Sequence, residues 1–422
     1  MRMSEAHVIS RRAVLGGAAA AAAGAWLTST EAASATDMGA MAVEEEATRL
    51  DTALIELRRD LHAHPELSGQ EQRTAGVVAA RLRAAGLHVT TGVGGHGVVG
   101  VLDGARPGRT VAYRADMDAV GPRDQMGGGT GPAHLCGHDI HTAVGVGIAQ
   151  VLSRLRERLH GRVVFLFQPA EESLTGAAAM LTDGVLTTTR PAEIHALHCW
   201  PIPVGRFAVT SGFGMPGQDR GLITLTGKDA AARAERLAES INRIGTVRRP
   251  STPADLEQLM ADLQTPDGPL ARFVFVQAQA SEGTVRVSSR CWPEHRYTDV
   301  RAEIGRRARA VGPATVDFPA DPFPAMIAPP REGRALERHL RRTLGAERVT
   351  ALHAAVPFSG EDYALFLDRL PGTYTLLGVR PPDTSIENSY PHFGTFRPDE
   401  RAIGHGVRAM AGWLLTRTRG RS

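Results

Sequence analysis

The chain has 422 residues, 42% hydrophobic and 22% charged, which is enough apolar material for one large core or two moderate ones and excludes wholesale disorder. Its formal net charge is +3, and nearly all the positive charge is arginine, Lys228 being the only lysine. The arginines are interspersed with acids instead of forming basic blocks with aromatic neighbours, so a nucleic-acid partner is excluded.

Taken in chain order, the first 35 residues stand apart. Arg11 and Arg12 precede a short alanine-rich run and an "ASA" triplet at 33–35, the order of a twin-arginine export signal. The expectation is export to the periplasm or beyond, with no stable membrane anchor after cleavage, because no other segment is long and apolar enough to span a bilayer. "VEEEATRLDTALIELRRDLHAHP" has helical apolar spacing up to Pro65, and "QRTAGVVAARLRAAGL" predicts a second helix stopping at Gly86. "GVVGVLDG" and "TVAYRADMD" read as strands, "HTAVGVGIAQVLSRLRERL" as a helix starting near Thr142, "RVVFLFQPAEE" as a buried strand ended by Pro169, and "EIHALHCWP" as a strand with an abrupt stop. Strands alternating with helices predict an α/β fold, a mixed and largely parallel sheet with helices on both faces.

From about Gly212 the rhythm changes. "RGLITLTG" (strand), "DAAARAERLAESINRI" (helix), a hairpin of "ARFVFVQAQA" and "GTVRVSSRCW", "YTDVRAEIGRRARAVG" (helix) and "ATVDF" (strand) follow the β-α-β-β-α-β order of a ferredoxin-like α+β unit, with an additional helical stretch near "ADLEQLMADL". The proline-rich "PADPFPAMIAPP" is a hinge, after which "EGRALERHLRRTLG" and "TYTLLGV" return to the first domain. The expected organisation is a signal at 1–35, a main domain in two parts at 45–212 and 326–418, and an inserted domain at 213–325.

Two clusters carry chemistry. In "AHLCGHDIHTA", Cys136 and His138 lie two apart in a loop ahead of a helix, and thiolate, imidazole and carboxylate together suit zinc, with manganese, cobalt or nickel as alternatives. Asp139 is placed to hold a ligand histidine. The competing reading is a polar helix-capping loop. In "FLFQPAEE", Glu171 and Glu172 follow a buried strand, where open α/β sheets build their sites. Adjacent carboxylates near a core repel unless a positive charge lies between them. A two-metal centre would supply it, one glutamate ligating while the other takes a proton from water; two solvated glutamates opening the next helix are the alternative. His198 in "HALHCWP" and His392 in "YPHFGTFRPDE" add imidazoles. With three cysteines in all, Cys136, Cys199 and Cys291, at least one thiol is unpaired.

These motifs, with "RRDLHAHPELSGQE", "YRADMDAV", "FSGEDYALFL" and "LPGTYTLLG" in the same order, resemble the M20 metallopeptidase family, specifically its amidohydrolase branch of N-acyl-amino-acid, hippurate and indole-acetyl-amino-acid hydrolases. The resemblance implies a zinc-exopeptidase-like catalytic domain and two divalent ions (Zn, Mn, Co or Ni) held by Cys136, His138, Glu172, His198 and His392. It makes Glu171 the general base, Asp116 and Asp118 orienting groups, and His62, His64, His134, His141 and His195 structural or supporting. The activity implied is hydrolysis of an N-acyl amino acid or similar small amide by metal-activated water, with the inserted domain as a lid and a homodimer formed through it. A non-hydrolytic metal-binding homologue and a carboxy- or aminopeptidase are the other readings, the latter disfavoured by Cys136 where peptidase branches commonly use aspartate.

The lid departs from the family pattern. Where amidohydrolases of this kind carry "GKGGHAA", this chain has "TGKDAAARAERLAES", and His295 is the only histidine in 213–325. "QAQASEGTVRV" replaces the glycine-rich, asparagine-bearing loop. Loss of a transition-state donor costs about 10²- to 10³-fold in rate, so the sequence supports metal binding better than efficient hydrolysis of the usual substrates; His295 and an arginine are the candidates for a replacement donor.

Overall fold

Along the strand 160–168, Val163, Phe165 and Phe167 join one buried cluster while Val164 and Leu166 join another, so this strand is buried on both faces, as its unbroken apolar run requires. The computed structural model describes residues 38–420; the expected export signal at 1–35 lies outside the described residues. The strands are β1 His88–Val93, β2 Gly97–Asp103, β3 Arg106–Asp116, β4 His160–Gln168, β5 Ile194–Pro203, β6 Phe207–Val209, β7 Gly214–Met215, β8 Asp219–Leu225, β9 Phe273–Ser281, β10 Thr284–Trp292, β11 Ala314–Asp317, β12 Met326–Ile327, β13 Val349–Ala351 and β14 Gly372–Arg380.

Eight of them form one mixed sheet in the order β1-β2-β4-β3-β5-β14-β6-β13. Its centre, β4-β3-β5-β14, is parallel, and β1, β2 and the β14–β6 pair are antiparallel. Helices Asp51–Ala63, Gln72–Ala84, His138–Arg154 and Arg401–Thr418 bury Leu57, Leu82, Val144 and Met410 against one face. Met180 of Gly176–Thr182 and Phe366 of Ala364–Leu367 cover the other. The short antiparallel pair β7–β12 joins the chain where it leaves for the second sheet and where it returns.

The second sheet, β11-β8-β10-β9, is antiparallel throughout. With helices Ala230–Asn242 and Tyr297–Ala310 burying Leu237, Ile241 and Ile304 against Ile223, Val285 and Val287, it has the ferredoxin-like order. The additional helix, Pro253–Leu263, packs elsewhere: Leu256, Leu259, Met260 and Leu263 belong to the cluster of Leu352, Val356 and Ile386 on the large sheet. Among the described residues no helix is long and apolar enough to cross a membrane.

Away from the histidine cluster, three elements differ from the sequence reading. The first helix is broken at 49–50, and Arg408 bridges the two pieces through Glu44 and Asp51. β1 has no expected counterpart because it is an edge strand whose residues are exposed or half-buried and show no apolar alternation. β5 does not stop at Pro201 but runs to Pro203 along β14.

Candidate metal centre

The parallel strands β3, β4 and β5 deliver their carboxyl ends to one edge, the position at which open α/β sheets hold ligands. β3 ends at Asp116, with Asp118 two residues on, and β4 ends at Gln168, ahead of a turn carrying Glu171 and Glu172. Ala170 has φ 53° there, and the next helix begins only at Gly176, so the glutamates open no helix. β5 pairs with β3 only up to Ala196; His198, placed within the strand and not at its end, lies past that pairing.

The Cys136 loop is shorter than expected. The helix begins at His138, not near Thr142, because Gly137 takes the left-handed conformation (φ 90°) and its carbonyl accepts the N–H groups of Ile140 and His141. Cys136 stays in the loop and His138 becomes the first helical residue, both buried.

Three imidazoles are oriented alike. His138 Nδ1 donates to Asp118, 3.0 Å from both Oδ1 and the carbonyl oxygen. His198 Nδ1 donates to the Cys199 carbonyl at 2.8 Å, and His392 Nδ1 to the Asp124 carbonyl at 3.1 Å. Each partner set leaves Nε2 as the bare nitrogen. Nε2 of His198 lies 3.4 Å from Cys136 Sγ, that of His392 lies 3.3 Å from Glu172 Oε2, and that of His138 lies 3.7 Å from Glu172 Oε1 and 3.9 Å from Glu171 Oε2. Cys136, His138 and His198 place ligand atoms within 4.8 Å of one another, and so do Cys136, Glu172 and His392. Two trios therefore share one sulfur.

The donor set fits divalent cations. His138 Nε2 and Glu172 Oε1 are buried without a hydrogen-bond partner, each omission costing about 1–3 kcal/mol unless something else satisfies the atom. Burial and then the charges of Glu172 and Glu171 push the Cys136 thiol well above its usual range. Burial opposes a positive charge at His138, while Asp116 and Asp118 favour one there. The pocket thus gathers negative charge and recruits positive charge, and imidazole, thiolate and carboxylate together suit zinc, manganese, cobalt or nickel.

Of the expected orienting residues, Asp118 also accepts the Glu172 N–H at 2.9 Å and the Ser68 hydroxyl at 2.7 Å, so it touches both His138 and Glu172. Asp116 acts at one remove: it holds His141 Nδ1 at 2.6 Å, and His141 Nε2 accepts the Cys199 N–H beside His198. Asp139 holds no ligand histidine. Its carboxylate turns away to pair with Arg58 and His62, each at 2.8 Å, because at the second helical position its side chain points off the centre. His195 accepts from Trp413 Nε1, His64 contacts the Asp60 carbonyl, and His134 lies buried near His62 with neither ring nitrogen bonded.

Sequence reasoning missed Arg114. Fully buried in β3, it binds Asp116 at 2.6 Å, Glu361 at 3.0 Å, Asp362 at 3.2 Å and Gln168 at 2.8 Å. Tyr374 donates to Glu361 at 2.6 Å. Glu171 offers an oxygen within 4.8 Å of Glu361 and Asp362, and burial followed by those two charges pushes it well up. An arginine inside an otherwise apolar strand, "TVAYRAD", was the available signal.

Above the centre lies a cavity of about 590 Å³, floored by Cys136, Glu171, Glu172, His198 and His392 and roofed from the smaller sheet by Arg220, Gln277 and Arg290. His295 is exposed on the turn Glu294–Arg296 and does not line it.

Known proteins resemble this chain over most of its length. The profile of peptidase family M20/M25/M40 matches residues 112–416. The chain is 30% identical to an N-acetylcysteine deacetylase of Bacillus subtilis, over 83% of this chain and 93% of that protein, and 29% identical to an N-acetyldiaminopimelate deacetylase of the same organism, over 86% and 97%. The crystal structure of the Bacillus subtilis YxeP protein, described as a dinuclear metal binding peptidase from the M20 family, superposes with a TM-score of 0.67 at 27% identity, covering 87% of this chain and 98% of that one.

Proposed function

The chain belongs to peptidase family M20/M25/M40, and from that premise we propose that it is a metal-dependent amidohydrolase cleaving the amide bond of an N-acyl amino acid or a similar small amide. The observation that carries the reading is the pair of ligand trios sharing Cys136 at the floor of the cavity, with Glu171 beside them. The two deacetylases among the relatives support the substrate class.

Cys136, His138 and His198 would hold one divalent ion and Cys136, Glu172 and His392 the other; bound there, the ions supply Lewis acidity to the amide carbonyl and acidify the attacking water. Glu171 accepts the proton of that water on Oε and delivers it to the departing nitrogen. Its basicity is maintained by burial and by Glu361 and Asp362, while Arg114 holds those two carboxylates in place. Residues 1–35 support export through a twin-arginine route to the periplasm or beyond, and the unpaired edges β9 and β11 of the smaller sheet support a homodimer formed there. The ion is drawn from zinc, manganese, cobalt and nickel.

The test is the protein loaded in turn with each of these ions and assayed against N-acyl amino acids and free dipeptides. Metal-dependent release of the amino acid from the acylated substrates is expected, falling about 10²- to 10⁴-fold in Glu171→Gln while bound metal is retained. Turnover no greater than that of Glu171→Gln with every ion would overturn the proposal.

A further inference from the structure

Among the described residues, most buried or half-buried arginines are paired: Arg114 with three carboxylates, Arg301 with Asp219, Arg408 with Asp51, Arg417 with Glu193. At the roof of the cavity Arg290 breaks that habit. Strand alternation puts Arg290, Ser288 and, across from Ser288, Arg220 on the helix-free face of the smaller sheet, and Arg249 joins them at the cavity wall. Arg290 is half-buried and seats its guanidinium over Gly360, where a methyl group would come within 2.8 Å of Nη1. Its bond to protein is to the Ser359 carbonyl, at 3.1 Å. Among the described residues none of the three forms an ion pair. They also feel one another, since burial and then the charges of Arg249 and Arg220 push Arg290 down to about 10.

Like charges gathered at one wall of a cavity repel, and an anion bound among them relieves that repulsion. A guanidinium fork matches a carboxylate with two parallel hydrogen bonds, so one substrate carboxylate pairs with one of these arginines and leaves the other two to take a second. We propose that Arg290, Arg249 and Arg220 form an anion subsite that selects substrates with two carboxylates, N-acyl derivatives of a dicarboxylic amino acid, over counterparts with a neutral side chain. The proposal rests on the amidohydrolase reading and adds to it the charge of the substrate.

N-acetylglutamate and N-acetylglutamine are nearly isosteric and differ by that one charge. Wild-type protein is expected to prefer the glutamate compound about 10- to 100-fold in kcat/KM, and Arg290→Met, Arg249→Met or Arg220→Met to shrink the preference about tenfold, the loss of one charge-assisted contact. Arg220 and Arg249 are exposed, so at least two of these variants fold. Calorimetric binding of the same two compounds to metal-loaded Glu171→Gln measures the preference without turnover. Equal or better use of N-acetylglutamine by wild type, or an unchanged preference in all three arginine variants, overturns the subsite even if hydrolysis is observed. Preferential binding of N-acetylglutamate, lost in Arg290→Met, with no hydrolysis by wild type, keeps the subsite and rejects the amidohydrolase reading instead.

Discussion

His392 and His198 present the same ring nitrogen to the centre but belong to different trios, and this makes their roles separable. His392→Ala leaves Cys136, His138 and His198 intact, so bound metal is expected to fall from two ions per chain to one, as read by elemental analysis of dialysed protein; His198→Ala removes a ligand from the other trio and should give the same count. Two retained ions in both variants would show that the trios are misassigned. Asp118 deserves equal weight because it fixes His138 through Oδ1 and the Glu172 backbone through Oδ2. Asp118→Asn is expected to weaken metal binding about 10- to 100-fold without unfolding the chain, measured by competition with a chelator. At this scale the convergence of Cys136, His138, Glu172, His198 and His392 was legible because their residue types have few other reasons to cluster. What a side chain touches was not: Asp139 and Asp118 are both aspartates near His138, and only the backbone turn at Gly137 decides that Asp118 reaches it while Asp139 turns to Arg58.

The central strands were legible as elements because burial on both faces leaves a continuous apolar run, as in "RVVFLF". The helix Pro253–Leu263 was legible by its spacing, but its destination was not, since the periodicity of Leu256, Leu259 and Leu263 says that a face is buried and nothing about which sheet buries it. The start of the helix after Cys136 was misplaced because Gly137 reads as an ordinary loop glycine. Its conformation can be tested. Gly137→Ala places a methyl in the left-handed region and 2.7 Å from Cys199 Sγ, whereas Gly69→Ala, at φ 76°, meets no atom within 4 Å. Both pay backbone strain of about 1 kcal/mol, and the clash should bring Gly137→Ala to about 2–3 kcal/mol. Guanidinium unfolding of the two variants measures the difference; equal losses would mean that the turn into the helix is not packed against Cys199.

Across the whole molecule, the arginine roof was the least legible feature, because Arg220, Arg249 and Arg290 come from separate elements and look like ordinary surface charges until the smaller sheet is set over the larger one. Acid stability is a property of the same scale. The helices Pro330–Leu344 and Arg401–Thr418 meet at His339 and Trp413, with ring centroids 5.2 Å apart, and burial, then Arg342, pushes His339 down to about 4. Nearby, burial opposes ionisation of Glu193, but His195 and Arg417 hold it down at about 2. The signs place these groups in different pH windows. For His339 the folded pKa lies below the unfolded value of about 6.5, so the unfolded chain takes the proton first and stability falls as pH drops from about 6.5 towards 4. For Glu193 the stabilisation is complete above its ordinary value of about 4.5 and is lost only as pH falls from there towards 2. Wild-type protein should therefore lose about 2 kcal/mol between pH 7 and pH 5 through His339 alone, and His339→Leu should lose that much less over the same interval. Glu193→Gln should be weaker by about 2 kcal/mol at pH 7, having removed one partner of a mostly buried pair, yet keep the wild-type slope from pH 7 to pH 5. Urea unfolding of the three proteins at both pH values separates the contributions, and a slope in His339→Leu equal to that of wild type would mean that the imidazole is not held neutral where these two helices meet.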